Sequence, residues 1–206
     1  MKRFSLRASL ALWRRRYEYR ARKVRQHKSG PLHSKWLVLK GRAAARVALR
    51  ERQLEAQIPL RLKALAEAEK LVGIMEQGGN NRGPKINEII KANGGVPGEP
   101  WCGDFVAYVY RRAGSKAVTR AWASVYLLGR IVGVRKVGKP KPGDVVRYTF
   151  GHTGLFKKWV SATEFEAVEG NTGLVGAVSD SKTGGDGVYL KRRAVSQVTD
   201  FRRVVR

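Results

Sequence analysis

The hydrophobic pattern of this chain changes its period at residues 139–144, KPKPGD. Upstream of this segment, apolar residues recur every three or four positions, which is typical of amphipathic helices. Downstream, short apolar runs alternate with glycine-containing turns, which is typical of strands. The pattern therefore predicts an α+β fold in which helices come first and pack against a later antiparallel sheet. About five strands are expected, at 144–150, 153–159, 164–169, 188–193 and 200–205.

Pro59 marks the predicted domain boundary, because proline disfavours helix at the residue before it. Residues 1–57 form a basic, helical N-terminal extension whose second helical run covers 42–57. Residues 58–206 form the main domain. Helices are predicted there at 60–77, burying Leu62, Leu65, Val72 and Met75, from Pro84 onward, burying Ile86, Ile89 and Ile90, and at 121–131.

The only cysteine, Cys102, stands in the segment 99–114, EPWCGDFVAYVYRRAG. Pro100 and Gly114 mark the start and the end of a helix, and apolar residues recur at helical spacing between them. Cys102 therefore falls at or beside the N-cap, where free N–H groups and the positive end of the helix dipole favour a thiolate. Such a position suits a nucleophile. The alternative is a cysteine that packs as a small apolar residue.

One histidine follows the cysteine, His152, within GDVVRYTFGHTGLFKK. The pattern predicts two strands that meet at a tight turn, with His152 opening the second strand. The next strand, EFEAVEGN, ends in Glu169, Gly170 and Asn171. A polar side chain there can accept the second ring N–H of His152 and fix its tautomer, which completes a nucleophile, a base and an orienting group. A structural histidine and a solvated strand end are the alternatives.

These segments together resemble a known family. PWCGDFV on a helix, PGDVV and GHTGLF on strands, and EGN at the next strand end are similar to the CHAP domain (cysteine, histidine-dependent amidohydrolase/peptidase). This is a papain-like peptidoglycan hydrolase module of bacteriophage lysins and bacterial autolysins. The resemblance implies that 58–206 is a catalytic domain with a papain-like fold.

The resemblance also implies a role for each candidate residue. Cys102 would attack an amide of the murein peptide, His152 would act as the base, and Glu169 would orient the imidazole. Asn171 would be a fourth polar member of the site. The implied enzyme is an N-acetylmuramoyl-L-alanine amidase or an endopeptidase. Trp101 adjoins the nucleophile and is a candidate wall of the substrate cleft, a core or surface position being the alternative.

No metal or other cofactor is predicted. A single cysteine allows neither an internal disulfide nor a CxxC pair, so zinc lacks a ligand set. Several CHAP relatives carry an aspartate-rich calcium loop ahead of the cysteine. Here that region reads GGNNRGPKINEII, without a DxDxD-type run, so calcium is not expected.

Basic residues are concentrated in the first third of the chain. Residues 1–75 hold 20 Lys and Arg against 5 Asp and Glu, within a net charge of +26 for the whole chain. This excess predicts that 1–57 binds a polyanion: teichoic acid, anionic lipid or nucleic acid. Residues 1–29 are either a solvated basic arm or a cationic amphipathic helix. The apolar stripe of that helix would be Leu6, Leu10, Trp13 and Tyr17.

No secretory signal is recognised, because Arg7 interrupts the apolar run near the N-terminus and no small-residue cleavage site follows. No run of about 18 apolar residues predicts a transmembrane helix. The expected site of action is the bacterial cell wall of the host. The enzyme would be made in the host cytoplasm or carried in a virion.

Two other functions are compatible with these residues. The basic N-terminal third favours a nucleic-acid-binding or structural virion protein whose hydrolase fold is secondary or inactive. A transglutaminase also uses a thiol, an imidazole and a carboxylate in papain-like order. A chymotrypsin-type cysteine protease is disfavoured, because its histidine precedes its nucleophile in the chain.

Overall fold

The computed structural model describes residues 5–131, 133–173 and 185–205. The chain divides into two compact units, Met1–Pro59 and Leu60–Arg206. The division falls at Pro59, where the proline interrupts the helical pattern.

The N-terminal unit consists of two helices, α1 (Leu6–Gln26) and α2 (Gly30–Ala56). Helix α2 begins well before the expected run at 42–57 and continues through Gly41. A glycine inside a helix costs only about 1 kcal/mol, which the contacts with α1 can offset. Of the residues in this unit whose burial is described, Ala43 alone is fully buried.

Helices α1 and α2 contact each other through aromatic and polar side chains near the end of α1. Tyr19 meets the ring of Trp36 edge-on, with the centroids 5.9 Å apart. Arg20 donates a hydrogen bond from Nη1 to the backbone carbonyl of Leu39 at 2.8 Å. The stripe residues are half-buried: Leu6, Leu10, Trp13 and Tyr17.

The C-terminal unit begins with three helices, α3 (Leu60–Glu69), α4 (Pro84–Ala92) and α5 (Cys102–Arg112). Helix α4 buries the three isoleucines that the sequence places inward, Ile86, Ile89 and Ile90. None of the helices described in the two units has both the length and the apolar composition of a membrane span.

The predicted helix at 60–77 is wrong in its second half. Helix α3 ends before Val72 and Met75, whose side chains are 43% and 47% exposed rather than buried. The chain instead runs beside the sheet, where the carbonyl of Ile74 accepts a hydrogen bond from the N–H of Val188 at 2.9 Å. Because this pairing joins residues far apart in the chain, local periodicity does not reveal it.

The predicted helix at 121–131 is replaced by two short 3-10 segments, Arg120–Ala123 and Leu127–Arg130. The first of them buries Trp122, whose indole N–H donates to the carbonyl of Ala117 at 3.0 Å. The ring of Trp122 also meets that of Tyr110 on α5, with the centroids 5.5 Å apart, so contact with α5 rather than one continuous helix places this residue.

The described part of the C-terminal unit holds a sheet in which every neighbouring pair of strands is antiparallel. The strand order is β1-β6-β2-β3-β4-β5. The strands are β1 (Val134–Val137), β2 (Val145–Tyr148), β3 (Thr153–Trp159), β4 (Glu164–Thr172), β5 (Gly187–Ala194) and β6 (Val198–Val204).

The α+β class is therefore confirmed, with six strands described where the sequence predicts five. The strand that the sequence misses is β1, which pairs with β6 at the edge of the sheet. Its sequence, VRKV, has only four residues and carries two cations on its exposed positions. Short, charged strands are typical of sheet edges and give little periodic signal.

Helix α5 packs against β3 and β4 closely enough to require glycine. A Cβ atom on Gly170 would lie 2.6 Å from Cγ of Phe105, so a larger residue would push β4 away from the helix. On the other side of α5, a Cβ on Gly103 would lie 2.6 Å from the carbonyl oxygen of Ala123. The first approach holds α5 against β4, which carries Glu169, and the second holds the start of α5, beside Cys102, against the segment Arg120–Ala123.

Candidate active site

Cys102 is the first residue of α5, and the residue is 8% exposed. The backbone carbonyl of Trp101, the N-cap residue, accepts the hydrogen bond from the N–H of Phe105 at 2.8 Å. The N–H groups of the first turn have no carbonyl partner inside the helix, so they are free to face a reacting group. The helix start thus provides both the thiol and hydrogen-bond donors beside it.

Asp104 anchors the first turn of α5. Its fully buried Oδ1 accepts hydrogen bonds from Nδ2 of Asn93 at 2.6 Å and from Nη1 of Arg120 at 3.0 Å. Burial raises the pKa of Asp104, although both donors oppose this shift. Arg120 also forms an ion pair with Glu99 at 2.7 Å. This network fixes the orientation of the cysteine helix, and no pattern in the sequence indicated it.

His152 lies directly before β3, in a turn that restricts its position. The N–H of Tyr148 donates to the carbonyl of His152 at 2.9 Å, and Gly151 has a φ of 75°, which suits glycine. The imidazole is 5% exposed. It stacks with the rings of Tyr148 and Phe150 at centroid distances of 5.6 and 5.9 Å. The ring therefore has little freedom to turn.

His152 connects the thiol to a carboxylate. Its Nε2 lies 3.0 Å from Oε2 of Glu169, so Nδ1 is the ring nitrogen that remains for an interaction with Cys102. Burial lowers the pKa of His152, but Cys102 and Glu169 outweigh burial and raise this pKa from 6.5 to about 9. A pKa of about 9 means that the imidazole is protonated at neutral pH.

Glu169 is completely buried and accepts four hydrogen bonds. Oε1 accepts from the hydroxyl of Tyr148 at 2.6 Å and from Nε of Arg193 at 2.9 Å. Oε2 accepts from Nη2 of Arg193 at 2.6 Å in addition to His152. Burial raises the pKa of Glu169, but Arg193 and His152 outweigh burial and lower this pKa to about 2. The group beside the imidazole is thus a carboxylate, not a carboxylic acid.

Tyr148 and Arg193 belong to the site, and the sequence analysis missed both. Tyr148 lies on β2 and Arg193 on β5, and both are buried. The alternation of residues in β5 does not predict that Arg193 is buried. Apolar Leu190 on the opposite face is 44% exposed, while charged Arg193 is 4% exposed, which is the reverse of the usual pattern. Arg193 is buried because of its partner Glu169, and such a partner cannot be recognised from the pattern of one strand.

Trp101 does not occupy the position that a cleft wall requires. Its side chain has no exposed surface, and its ring packs edge-on against Phe105 at a centroid distance of 6.4 Å. The indole N–H donates to Oε1 of Glu76 at 2.9 Å. Trp101 is therefore a core residue below the helix start. The sequence offered a core position as one alternative to a cleft wall, and the burial of Trp101 agrees with that alternative.

Asn171 lies beside the site without joining its hydrogen-bond chain. It has a left-handed φ of 57° at an irregularity in the pairing of β4 with β5, between Gly170 and Thr172. Its Oδ1 atom is buried and has no hydrogen-bond partner among the described residues. The structure thus brings together Cys102, His152 and Glu169, and leaves Asn171 without a contact to them through that oxygen.

Within the described ranges, no three His, Cys, Asp or Glu side chains are grouped as a metal site would need. Comparisons with protein family models, with curated proteins and with solved structures found no match to this chain.

Proposed function

We propose that this protein is a cysteine hydrolase that cleaves an amide bond of bacterial peptidoglycan. The observation that carries the proposal is the linked series of Cys102, His152 and Glu169, with the thiol at a helix N-terminus and the carboxylate ionised. The choice of substrate comes from the resemblance of the surrounding segments to the CHAP domain. A papain-like fold is proposed on the same resemblance, supported by a nucleophile helix that packs against an antiparallel sheet.

In the first chemical step, the Cys102 thiolate attacks the carbonyl carbon of the amide. Negative charge then develops on the carbonyl oxygen, where free N–H groups at the start of α5 can stabilise it. The imidazolium of His152 donates its Nδ1 proton to the leaving nitrogen, and the C–N bond breaks. The products of this step are a free amine and a thioester on Cys102.

In the second step, water hydrolyses the thioester. Neutral His152 accepts a proton from the water molecule, whose oxygen attacks the thioester carbonyl. The C–S bond breaks, and the thiolate and the imidazolium are restored beside each other. Glu169 keeps its charge throughout, because its role is to orient the imidazole and to stabilise its protonated form.

The N-terminal unit has the features of a polyanion-binding surface. Residues 1–57 contain 17 Lys and Arg but only 3 Asp and Glu, so most of these cations have no carboxylate partner inside the unit. The apolar stripe of α1 is half-buried, while Arg7, Arg15 and Arg22 outside this stripe are exposed. We infer that this unit concentrates the enzyme on teichoic acid, anionic lipid or nucleic acid near the substrate.

The decisive assay incubates the protein with purified cell walls and follows turbidity, free amines and reducing termini. An amidase or endopeptidase releases amines without new reducing termini, and mass spectrometry of the fragments identifies the bond. A transglutaminase would join an added primary amine to the peptide. A nucleic-acid-binding or structural virion protein would leave the walls intact, and that result would overturn the proposal. The Cys102→Ala protein is the matched control.

A further inference from the structure

The negative charge of Glu169 depends on the groups that surround it. Its side chain has no exposed surface, so water cannot stabilise the carboxylate. A buried carboxylate without a counter-charge takes up a proton instead. The guanidinium of Arg193 approaches both oxygens, with Nε 2.9 Å from Oε1 and Nη2 2.6 Å from Oε2. This two-pronged contact is the strongest form of an arginine–carboxylate pair.

Arg193 is itself held in one position. It is 4% exposed, and its guanidinium lies over the rings of Tyr148 and Phe150, at 5.4 Å from each centroid. Nη2 also reaches Oγ1 of Thr172 at 3.4 Å. The same two rings stack against the imidazole of His152. One aromatic cluster therefore positions both the guanidinium and the imidazole around Glu169.

We propose that Arg193 is a positioning residue, which keeps Glu169 ionised and directed at Nε2 of His152, so that His152 stays protonated beside the Cys102 thiolate. The proposal rests on the catalytic roles proposed for Cys102 and His152. The charges of the thiolate and the imidazolium would then depend on Arg193, a cation that contacts neither the thiol nor the substrate carbonyl. Arginine suits this role because it remains charged when buried.

Other charged or titratable groups also surround Glu169. Tyr148, on β2, donates a hydrogen bond to Glu169. Burial, and next the charge of Glu169, raise the pKa of Tyr148, so its hydroxyl stays protonated. Lys191 on β5 interacts with Glu169 through charge, while its Nζ donates to the carbonyl of Gly173 at 2.6 Å. Cys102, the first residue of α5, acts on the imidazole of His152 and raises its pKa. Apart from the imidazolium of His152, Arg193 is the cation among the described residues that donates hydrogen bonds to the carboxylate.

The test is a titration of His152 by NMR in the full-length protein. In the Arg193→Gln variant, Glu169 should bind a proton near neutral pH, and the imidazolium should lose its anionic partner. The pKa of His152 should then fall from about 9 toward the value of 6.5 for a free imidazole. If Glu169 stayed ionised without Arg193, removal of the positive charge would instead raise this pKa. A raised or unchanged value would therefore overturn the proposal.

Two variants make the test specific. Arg193→Lys keeps a positive charge and should hold the pKa of His152 near that of the natural protein. Arg192→Gln removes a charge from the neighbouring position, which is exposed and paired with Glu164, and should leave the titration unchanged. If Arg192→Gln shifted the titration as much as Arg193→Gln, general loss of charge would explain the effect, and the proposal would fail.

Activity gives a second measurement. On cell walls, Arg193→Gln should reduce kcat about tenfold or more, as supporting partners behind a reacting group commonly do, and Arg193→Lys should restore most of it. The titration needs no substrate, so it remains informative if peptidoglycan is the wrong substrate. If Arg193→Gln does not fold, Tyr148→Phe replaces it. That variant keeps the ring and both contacts of Arg193 and removes one hydrogen bond from Glu169, so Glu169 should stay ionised and the pKa of His152 should not fall. A fall toward 6.5 would show that Tyr148 rather than Arg193 keeps Glu169 ionised, and the proposal would fail.

Discussion

Gly154 on β3 faces the side chain of Glu169 on β4 so closely that a Cβ atom at this position would lie 2.6 Å from Cγ of Glu169. The backbone carbonyl oxygen of Val168 would lie 2.9 Å from this added Cβ atom. The missing side chain of Gly154 thus provides the space in which the carboxylate meets His152 and Arg193. The position of Glu169 on β4 therefore also depends on the neighbouring strand, β3.

A Gly154→Ala substitution should displace Glu169 from His152. We expect a loss of wall-lytic activity together with a destabilisation of about 1–3 kcal/mol, the usual cost of overpacking a core. Thermal unfolding and lysis assays measure the two effects. Gly138→Ala is the matched control, because a Cβ there would meet no atom within 4 Å. Full activity in Gly154→Ala would show that the position of Glu169 is not critical.

Cys102→Ala and His152→Ala should each reduce lysis by at least about 1,000-fold, because thiol and imidazole act as one unit. The double variant should be no less active than either single variant. Far-UV circular dichroism should show an intact fold in each case. Undiminished lysis by Cys102→Ala would falsify the assignment of the nucleophile.

Glu169→Gln should lower activity less than removal of the thiol does, since Glu169 orients the imidazole but forms no bond with the substrate. The same change should destabilise the protein more, because it leaves the buried cation of Arg193 without its counter-charge. Removal of one partner of a buried ion pair typically costs about 3–5 kcal/mol. Urea unfolding measures this cost. A Glu169→Gln protein as stable as the natural one would contradict the importance of the pair.

The pH dependence follows from the two shifted groups. The pKa of His152 is raised from 6.5 to about 9, so its contribution to stability is complete below pH 6.5 and is lost as the pH rises through about 9. The pKa of Glu169 is lowered from 4.5 to about 2, so its contribution is present above pH 4.5 and is lost as the pH falls through about 2. The free energy of unfolding, measured with urea across this pH range, should fall at both the acidic and the alkaline end. In addition, kcat should decline above about pH 9. Activity that still increases at pH 10 would argue against an imidazolium as the proton donor.

Chelators and thiol reagents should affect the enzyme differently. With no metal-binding group predicted, lysis should persist in EDTA. Alkylation of Cys102, the only cysteine, should abolish lysis, and reductant should reverse its early oxidation products. A requirement for calcium in the lysis assay would reveal an ion site that neither the sequence nor the described residues indicate.

Binding to whole walls should depend on the basic N-terminal unit. Replacement of Arg7, Arg15 and Arg22 by glutamine should weaken binding and flatten its dependence on salt, because fewer counterions are released. Cleavage of a small soluble muropeptide should be almost unaffected by salt. The matched control replaces three exposed cations of the other unit, Arg135, Lys136 and Lys139.

If the two triple variants bind walls equally at every salt concentration, the N-terminal unit is not a wall anchor. Deletion of residues 1–57 extends this test to the whole unit. A deletion variant that still clears walls fully but no longer binds DNA or anionic vesicles would assign the unit to those partners instead.

Local sequence determined the elements that carry the candidate site. Pro100 and the helical spacing that follows it placed Cys102 at a helix start, as observed. Strand alternation placed His152 at the opening of one strand and Glu169 near the end of the next, and the structure puts His152 one residue before β3 and Glu169 within β4. These predictions succeeded because each depends on residues within a few positions of one another, where helical and strand periods differ clearly. The glycines at 154 and 170 are part of the same segments.

Tertiary structure alone decided which groups surround the carboxylate. Arg193 and Tyr148 lie on different strands from Glu169, and the burial of Trp101 and the course of the chain at residues 70–77 also depend on distant partners. A buried charge is stable only when its counter-charge is in place, and that partner can come from anywhere in the chain. Periodicity reports which face of an element is apolar. It cannot report that a charged face is buried because another strand neutralises it.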